Sequence, residues 1–224
     1  MVSGYDLILW DFDGTLADSS ADVWQSIGYA AKRCGAIVPE EYRNDPRNLS
    51  AAMTDIFAHL RPFPGAGRFA AFDADVTRHY RSLNAFDATV MYPGMEGLLT
   101  RLHRRGTLGA IVTNKPLEAL ERILVTKGWA DLFDGWVAVD SDPSLPDGMS
   151  KQEMMRRMVD RFHTDPAHAL AVGDSRHDIA AAQAEGIDSL AVTYGDGDTA
   201  ELLGQAPKYV ADDVAAIASI VERE

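Results

Sequence analysis

The chain has one cysteine, Cys34, in 224 residues, so no internal disulfide can form. A reducing, cytoplasmic setting is therefore expected, and Cys34 reads as a small apolar residue on a helix. Basic residues are also scarce: 21 Lys and Arg stand against 34 Asp and Glu, a formal charge of −13. That balance argues against a general nucleic-acid binder or a protein drawn to anionic membrane surfaces. It also means that an anionic ligand must be met by a locally positive pocket. No apolar run approaches the ~20 residues of a membrane-spanning helix. A strand reached by Tyr5 leaves no room for a signal peptide in this reading. There is no internal repeat and no low-complexity segment. What remains, 46% hydrophobic and 25% charged, is ordinary globular usage and predicts a real core. The length suits one large domain, or one domain with a substantial insertion.

Taken in order, the chain opens with a strand over 5–11, whose apolar run Leu7-Ile8-Leu9-Trp10 ends in Asp11-Phe12-Asp13-Gly14-Thr15. A helix follows, with Asp18, Ser19 and Ser20 as cap candidates and Val23, Trp24, Ile27, Ala30 and Ala31 on one face, stopping at Cys34-Gly35. From there to residue 88 no segment reads as a strand of a parallel sheet. Helical pieces over 51–60 and 69–83 flank the breaker Arg61-Pro62-Phe63-Pro64-Gly65. The next convincing strand is Leu108–Thr113, roughly 100 residues on, whereas a βαβ crossover needs about a dozen residues plus a helix. The spacing therefore predicts a small helical insertion over 18–88, hung over the carboxyl edge of the sheet as a lid. The remainder, 1–17 and 89–224, forms the core. After Tyr92-Pro93-Gly94 the pattern is regular: helix 95–105, strand Leu108–Thr113, helix 116–127, strand 136–140, helix 151–162, strand Ala169–Gly173, an Ala-rich helix 176–185, strand 189–193, and a short strand at Tyr209-Val210. This alternation predicts an α/β fold, a doubly wound parallel (Rossmann-like) sheet with a small inserted all-helical cap.

In such a sheet the loops after the strands emerge on one edge, where ligands bind. The first loop carries Asp11 and Asp13, with Gly14 permitting the turn. The second, Val112-Thr113-Asn114-Lys115-Pro116, offers a hydroxyl and an amide to phosphoryl oxygens, although either Thr113 or Asn114 could simply cap the helix. Pro116 lies where a first helical turn accepts proline. In the third, Ser150 and Glu153 have capping-box spacing, which puts Lys151 at the first helical position against the helix dipole. Taken alone, that lysine reads as solvated. The fourth, Val172-Gly173-Asp174-Ser175-Arg176-His177-Asp178, places two acids about one helical turn apart. That spacing suits a hard divalent cation such as Mg²⁺, while the bland alternative is two carboxylates at a helix start. His177 reads as surface. Four acids, a lysine and a hydroxyl–amide pair on one edge are far less expected by chance than any single piece.

With these residues in view, the chain resembles the haloacid dehalogenase (HAD) superfamily, in particular its phosphatases with a helical cap after the first strand. The resemblance runs through Asp11-Phe12-Asp13-Gly14-Thr15, Thr113, Lys151 and Gly173-Asp174-Ser175-Arg176-His177-Asp178, and covers essentially the whole chain. Val112-Thr113-Asn114-Lys115-Pro116 looks most like the phosphoglycolate phosphatase branch. Lys151, however, lacks the proline that usually follows it there and is closer to nucleotidase-like relatives. The resemblance implies that Asp11 is a nucleophile forming an aspartyl-phosphate and Asp13 a general acid/base. It places Mg²⁺ among Asp11, the Asp13 backbone carbonyl, Asp174 and Asp178. Lys151, Thr113, Asn114 and loop N–H groups including that of Gly14 would bind the phosphoryl oxygens.

The expected activity is thus Mg²⁺-dependent hydrolysis of a small phosphate ester, phosphoglycolate-like. A nucleoside 5′-monophosphate phosphatase and a β-phosphoglucomutase-like phosphotransferase stay open. A haloalkanoate dehalogenase is disfavoured by the presence of Asp13, Asp174 and Asp178. A catalytically silent binding protein is disfavoured because none of the acids is missing. In the cap, Arg43, Arg47 and His59 read as solvated surface rather than substrate contacts, and Trp24 and Phe57 as packing. A monomer or homodimer is expected.

Overall fold

The structure is a computed structural model that describes residues 4–45, 48–49 and 51–222. Arg47 lies outside these. The contacts divide the chain into two compact units, Met1–Asp18 with Val90–Glu224, and Ser19–Thr89.

The first unit is built on β1 (Leu7–Trp10), whose four residues are all buried. It pairs in parallel with β4 (Leu108–Thr113) on one side and β6 (Ala169–Gly173) on the other. With β5 (Gly135–Ala138), β7 (Asp188–Val192) and β8 (Tyr209–Ala211) the six-stranded sheet runs β5-β4-β1-β6-β7-β8, every pair parallel. A strand central to such a sheet is covered on both faces, which is why β1 reads as an unbroken apolar run rather than an alternating one.

The strand's period of two sorts that run. Leu7 and Leu9 join Ala110, Val112 and Ala171 in a core closed by Met154, Met155 and Met158 of α7 (Lys151–Phe162) and by Ala181 and Ala182 of α8 (Arg176–Ala184). Ile8 and Trp10 face the other way, sharing a small void with Leu99 and Leu102 of α5 (Met95–Arg104). Each fully buried aliphatic side chain stabilises by about 1.5–3 kcal/mol. Together these contacts hold the carboxyl end of β1 rigidly. A second, two-stranded sheet pairs β2 (Ala17–Asp18) with β3 (Val90–Met91) antiparallel, so the chain leaves and re-enters this unit side by side.

The Ser19–Thr89 unit is helical. It contains α1 (Ser20–Arg33), α2 (Glu40–Arg43), α3 (Met53–Ala58) and α4 (Phe69–Arg78). Trp24, Ile27, Ile56, Phe57, Leu60, Phe72 and Val76 form its core, as packing rather than as an exposed platform. Cys34, partly buried, packs against it just beyond α1. Arg43 and His59 are exposed, His59 stacking on Tyr42 at 4.3 Å. The helix expected to reach residue 83 changes at His79, where wider turns take over and the Asn84 N–H donates to the His79 carbonyl five residues back at 2.7 Å. Below the core lies a buried polar knot. Thr89 Oγ1 donates to Asp22 at 2.7 Å, and Asn84 donates to the Asp22 carbonyl and to Ser26 Oγ at 2.7 and 2.9 Å.

The expected limits of β4, α7 and β6 agree with the structure to the residue. The remaining strands and helices of the core begin or end within a few residues of expectation. Proline 116 is a correction: it precedes α6 (Leu117–Lys127) rather than opening its first turn. Two further helices follow β7 and β8 where none was expected, α9 (Thr199–Gly204) and α10 (Val214–Val221).

Candidate active site

Asp11 leaves β1 with its N–H still bonded to the Val172 carbonyl at 2.9 Å. The strand therefore delivers the carboxylate at a fixed height on the sheet edge. Phe12 is buried, and its carbonyl accepts from Leu16 and Ala17, closing a tight turn. Gly14 adopts φ +74 in that turn. A Cβ at this position would collide with Asp174 Oδ2 as well as strain the backbone.

Lys151 reaches the same point from α7. Ser150 Oγ accepts from the Glu153 N–H at 3.1 Å, which starts the helix at the lysine as expected. The reciprocal half of the capping box is not made. Glu153 instead pairs with Arg156 and Arg157. Far from being solvated, Lys151 is buried, with Nζ 2.6 Å from Asp11 Oδ1, 2.7 Å from Asp178 Oδ1 and 2.8 Å from the Val112 carbonyl. Burial opposes its charge, but Asp11 and Asp178 outweigh burial and raise its proton affinity above the ordinary lysine value.

The acids from β6 and α8 complete the cluster. Asp178 Oδ2 accepts from the Ser175 hydroxyl and N–H at 2.6 and 3.1 Å. Asp174 Oδ2 accepts from the N–H groups of Asp196 and Gly197 at 2.8 and 3.1 Å. Asp11, Asp174 and Asp178 each present an oxygen, and these oxygens lie within 4.8 Å of one another. Such crowding has a price in proton affinity. Burial, with Asp178 next, pushes Asp174 up to about 6. Asp11 is raised well above the usual carboxylate range, chiefly by burial, with Asp178 and Asp174 adding to it against the pull of Lys151.

A second ammonium belongs to Lys115, whose side chain is 1% exposed and whose Nζ lies 2.9 Å from Asp13 Oδ1. Fully ionised, Asp11, Asp13, Asp174 and Asp178 would leave two negative charges beside the two lysines. Oxygen donors with that residual charge fit one hard divalent cation.

A family model described as haloacid dehalogenase-like hydrolase matches residues 5–186. The chain belongs to this family. A phosphoglycolate phosphatase of Vibrio cholerae is 29% identical over 227 residues, covering 96% of each protein. A 5′-nucleotidase of Pseudomonas aeruginosa is 27% identical, covering 97% of this chain and 96% of that one. Among solved structures, a protein from Haemophilus somnus described as a predicted phosphoglycolate phosphatase superposes with a TM-score of 0.83 at 26% identity, covering 98% of this chain and 99% of the other.

In this haloacid dehalogenase-like hydrolase, Asp11, Lys151, Asp174 and Asp178 come together, and Asp13 follows in the same turn. Thr113 is buried beside Val112 and its Oγ1 accepts from the Lys115 N–H at 3.1 Å, while Asn114 is exposed. His177 is exposed, as expected. The Gly14 N–H donates to the Ala17 carbonyl at 3.1 Å, and its missing side chain admits Asp174. Three features escape a reading of the sequence. Lys115 is one, and the Gly195-Asp196-Gly197 loop over Asp174 is another. The third is the pair Tyr92 and Tyr194, rings 4.6 Å apart, with the Tyr194 hydroxyl donating to the Thr15 carbonyl at 2.8 Å. Burial raises the proton affinity of both phenols, assisted at Tyr92 by Asp196 and Asp18, so they stay neutral donors.

Proposed function

We propose that this phosphoric monoester hydrolase uses Mg²⁺ and an aspartyl-phosphate intermediate to hydrolyse a small phosphoglycolate-like ester. The observation that carries the proposal is the Lys151 ammonium shared by Asp11 and Asp178 beside Asp174. One buried cation between carboxylates is a poor structural bargain unless a ligand uses it, because buried ion pairs rarely gain net stability. An electropositive point at a nucleophilic carboxylate suits an incoming phosphoryl group.

In this reading Asp11 attacks phosphorus, the ester P–O bond breaks, and Asp13 gives a proton to the departing alkoxide. Asp13 then takes a proton from the water that attacks the phosphorus of the aspartyl-phosphate, releasing inorganic phosphate and restoring Asp11. Lys151 and Thr113 hold phosphoryl oxygens, with Asn114 at the mouth. Asp11, the Asp13 carbonyl and Asp174 would hold the cation. Asp178 would complete the set through Oδ1, which lies 2.7 Å from the Lys151 ammonium but has no hydrogen-bond partner among the described residues, while Ser175 holds Oδ2. Bound there, Mg²⁺ supplies charge neutralisation between nucleophile and phosphoryl group. The Ser19–Thr89 unit is read as the family's inserted helical cap.

The second reading is a nucleoside 5′-monophosphate phosphatase. It is favoured by the 5′-nucleotidase relative and by the missing proline after Lys151. Phosphate release with and without Mg²⁺ would be measured on 2-phosphoglycolate, sugar phosphates, nucleoside monophosphates and p-nitrophenyl phosphate. Asp11→Asn should abolish metal-dependent release from every ester. Wild-type rates in that variant would rule out the aspartyl-phosphate route.

A further inference from the structure

We infer that Lys115 is a positioning residue for Asp13, holding its carboxylate where it can serve the leaving-group oxygen; the inference rests on the phosphatase reading above. Contacts at the backbone and at the side chain both hold this residue in place. The Lys115 N–H is tied to Thr113 Oγ1 at 3.1 Å, the Nζ lies 5.4 Å from the centre of the Phe12 ring, and it ends 2.9 Å from Asp13 Oδ1. Its side chain is 1% exposed, whereas that of Asp13 is 39% exposed. The lysine is thus the fixed member of the pair and the carboxylate the member that needs fixing.

Sealing an ammonium from water is costly unless a partner compensates. Lys151 faces Asp11 and Asp178, so the two buried lysines serve different carboxylates. Proton transfer to a departing oxygen works only over about 2.6–3.2 Å, so a half-exposed acid that wanders among rotamers loses most of its effect. Lys115, anchored to the turn that also carries Thr113, ties the acid to the phosphoryl-binding loop. A well-placed general acid contributes about 10²–10⁴ in rate. Loss of its orientation should cost a sizeable part of that, and only where the leaving group needs a proton.

The test compares an alkyl ester, 2-phosphoglycolate, with p-nitrophenyl phosphate, whose leaving group departs readily as an anion. Steady-state kinetics with Mg²⁺ would be run on wild type, Lys115→Met, Lys115→Arg and Asp13→Asn. Melting curves would establish that each variant folds. Lys115→Met should lower kcat on the alkyl ester about tenfold or more beyond its effect on the nitrophenyl ester, with KM little changed. Lys115→Arg should recover most of that loss. In the Asp13→Asn background, Lys115→Met should cost nothing further on the alkyl ester. Equal losses on both esters, a change confined to KM, or an undiminished loss in the Asp13→Asn background would overturn the inference while leaving the phosphatase reading intact. Inactivity of the wild type on every ester of the wider panel would overturn both. If Lys115→Met does not fold, Lys115→Gln, which keeps the stem and a donor without the charge, carries the same comparison.

Discussion

Replacing Asp174 by Asn should stabilise the metal-free protein, the reverse of what removing a buried hydrogen-bonded group usually does. Asp174 is 5% exposed, and burial, with Asp178 next, pushes its carboxyl up to about 6 from 3.8. An unfolded chain ionises the group near its ordinary value. Between about pH 4 and pH 6 the unfolded state therefore binds fewer protons than the folded one, and stability falls as pH rises. Above that window the penalty is on the order of 3 kcal/mol. Asn has the same shape and cannot ionise, and its amide oxygen can still accept the Asp196 and Gly197 N–H groups. At about 2–4 °C per kcal/mol for a chain of this size, the melting temperature should rise by roughly 6–12 °C at about pH 7.5 in a chelator. The gain should shrink toward about pH 4 and vanish below it, where both states hold the proton. Thermal melts of wild type and Asp174→Asn at both pH values make the measurement, repeated with Mg²⁺, which should stabilise the wild type far more than the variant. A variant that melts lower at neutral pH, or that gains equally at both, would refute the idea that burial, with Asp178 next, penalises the ionised Asp174.

Two further predictions concern other supports. Gly197→Ala should lower Mg²⁺ affinity measured by calorimetry and cost about 1–3 kcal/mol in melting experiments, because the new Cβ would strike the Asp174 carbonyl, which is backbone and cannot swing away. In the helical unit, Asn84→Ala should destabilise by about 2–4 kcal/mol in denaturant unfolding. It strips partners from the Asp22 carbonyl, Ser26 Oγ and the Phe86 N–H together. A cost near zero would mean that water replaces the amide there.

The parts of the fold that were legible in the sequence are those whose burial is continuous along the chain. Ala169–Gly173 is buried at every position and Leu108–Thr113 nearly so, and each reads as an apolar run bounded by polar residues. Helix α7 announced its first residue through Ser150 and its inner face through Met154, Met155 and Met158. The missed elements bury little. Helix α2 buries no residue and α9 only Leu202, so neither carries a periodic apolar signal. For α9 and α10 a signal lay in the caps instead. Asp198 accepts from the Glu201 N–H and Asp213 from the Ala216 N–H, both aspartates at ordinary N-cap positions.

The candidate site was legible for a different reason, and illegible where that reason fails. Asp11, Asp174 and Asp178 could be found because chain order alone puts strand ends on one edge. Lysine position is another matter. Lys115 and Lys151 are each the residue type that local rules assign to solvent, yet both are buried, each against a carboxylate far away in sequence. Chain order put Lys151 on the same edge as the acids, whereas only the sum of charges hinted at Lys115. Four acids gathered on a sheet edge in a chain of charge −13 cannot all stay ionised with a single exposed lysine nearby. Besides Lys151, the strand-end loops hold two cations, Arg176 and Lys115, and the structure exposes the first and buries the second. The Gly195-Asp196-Gly197 loop had no such signal. Its value lies in two backbone N–H groups aimed at Asp174, and a backbone donor leaves no mark in sequence beyond the glycines that let it approach.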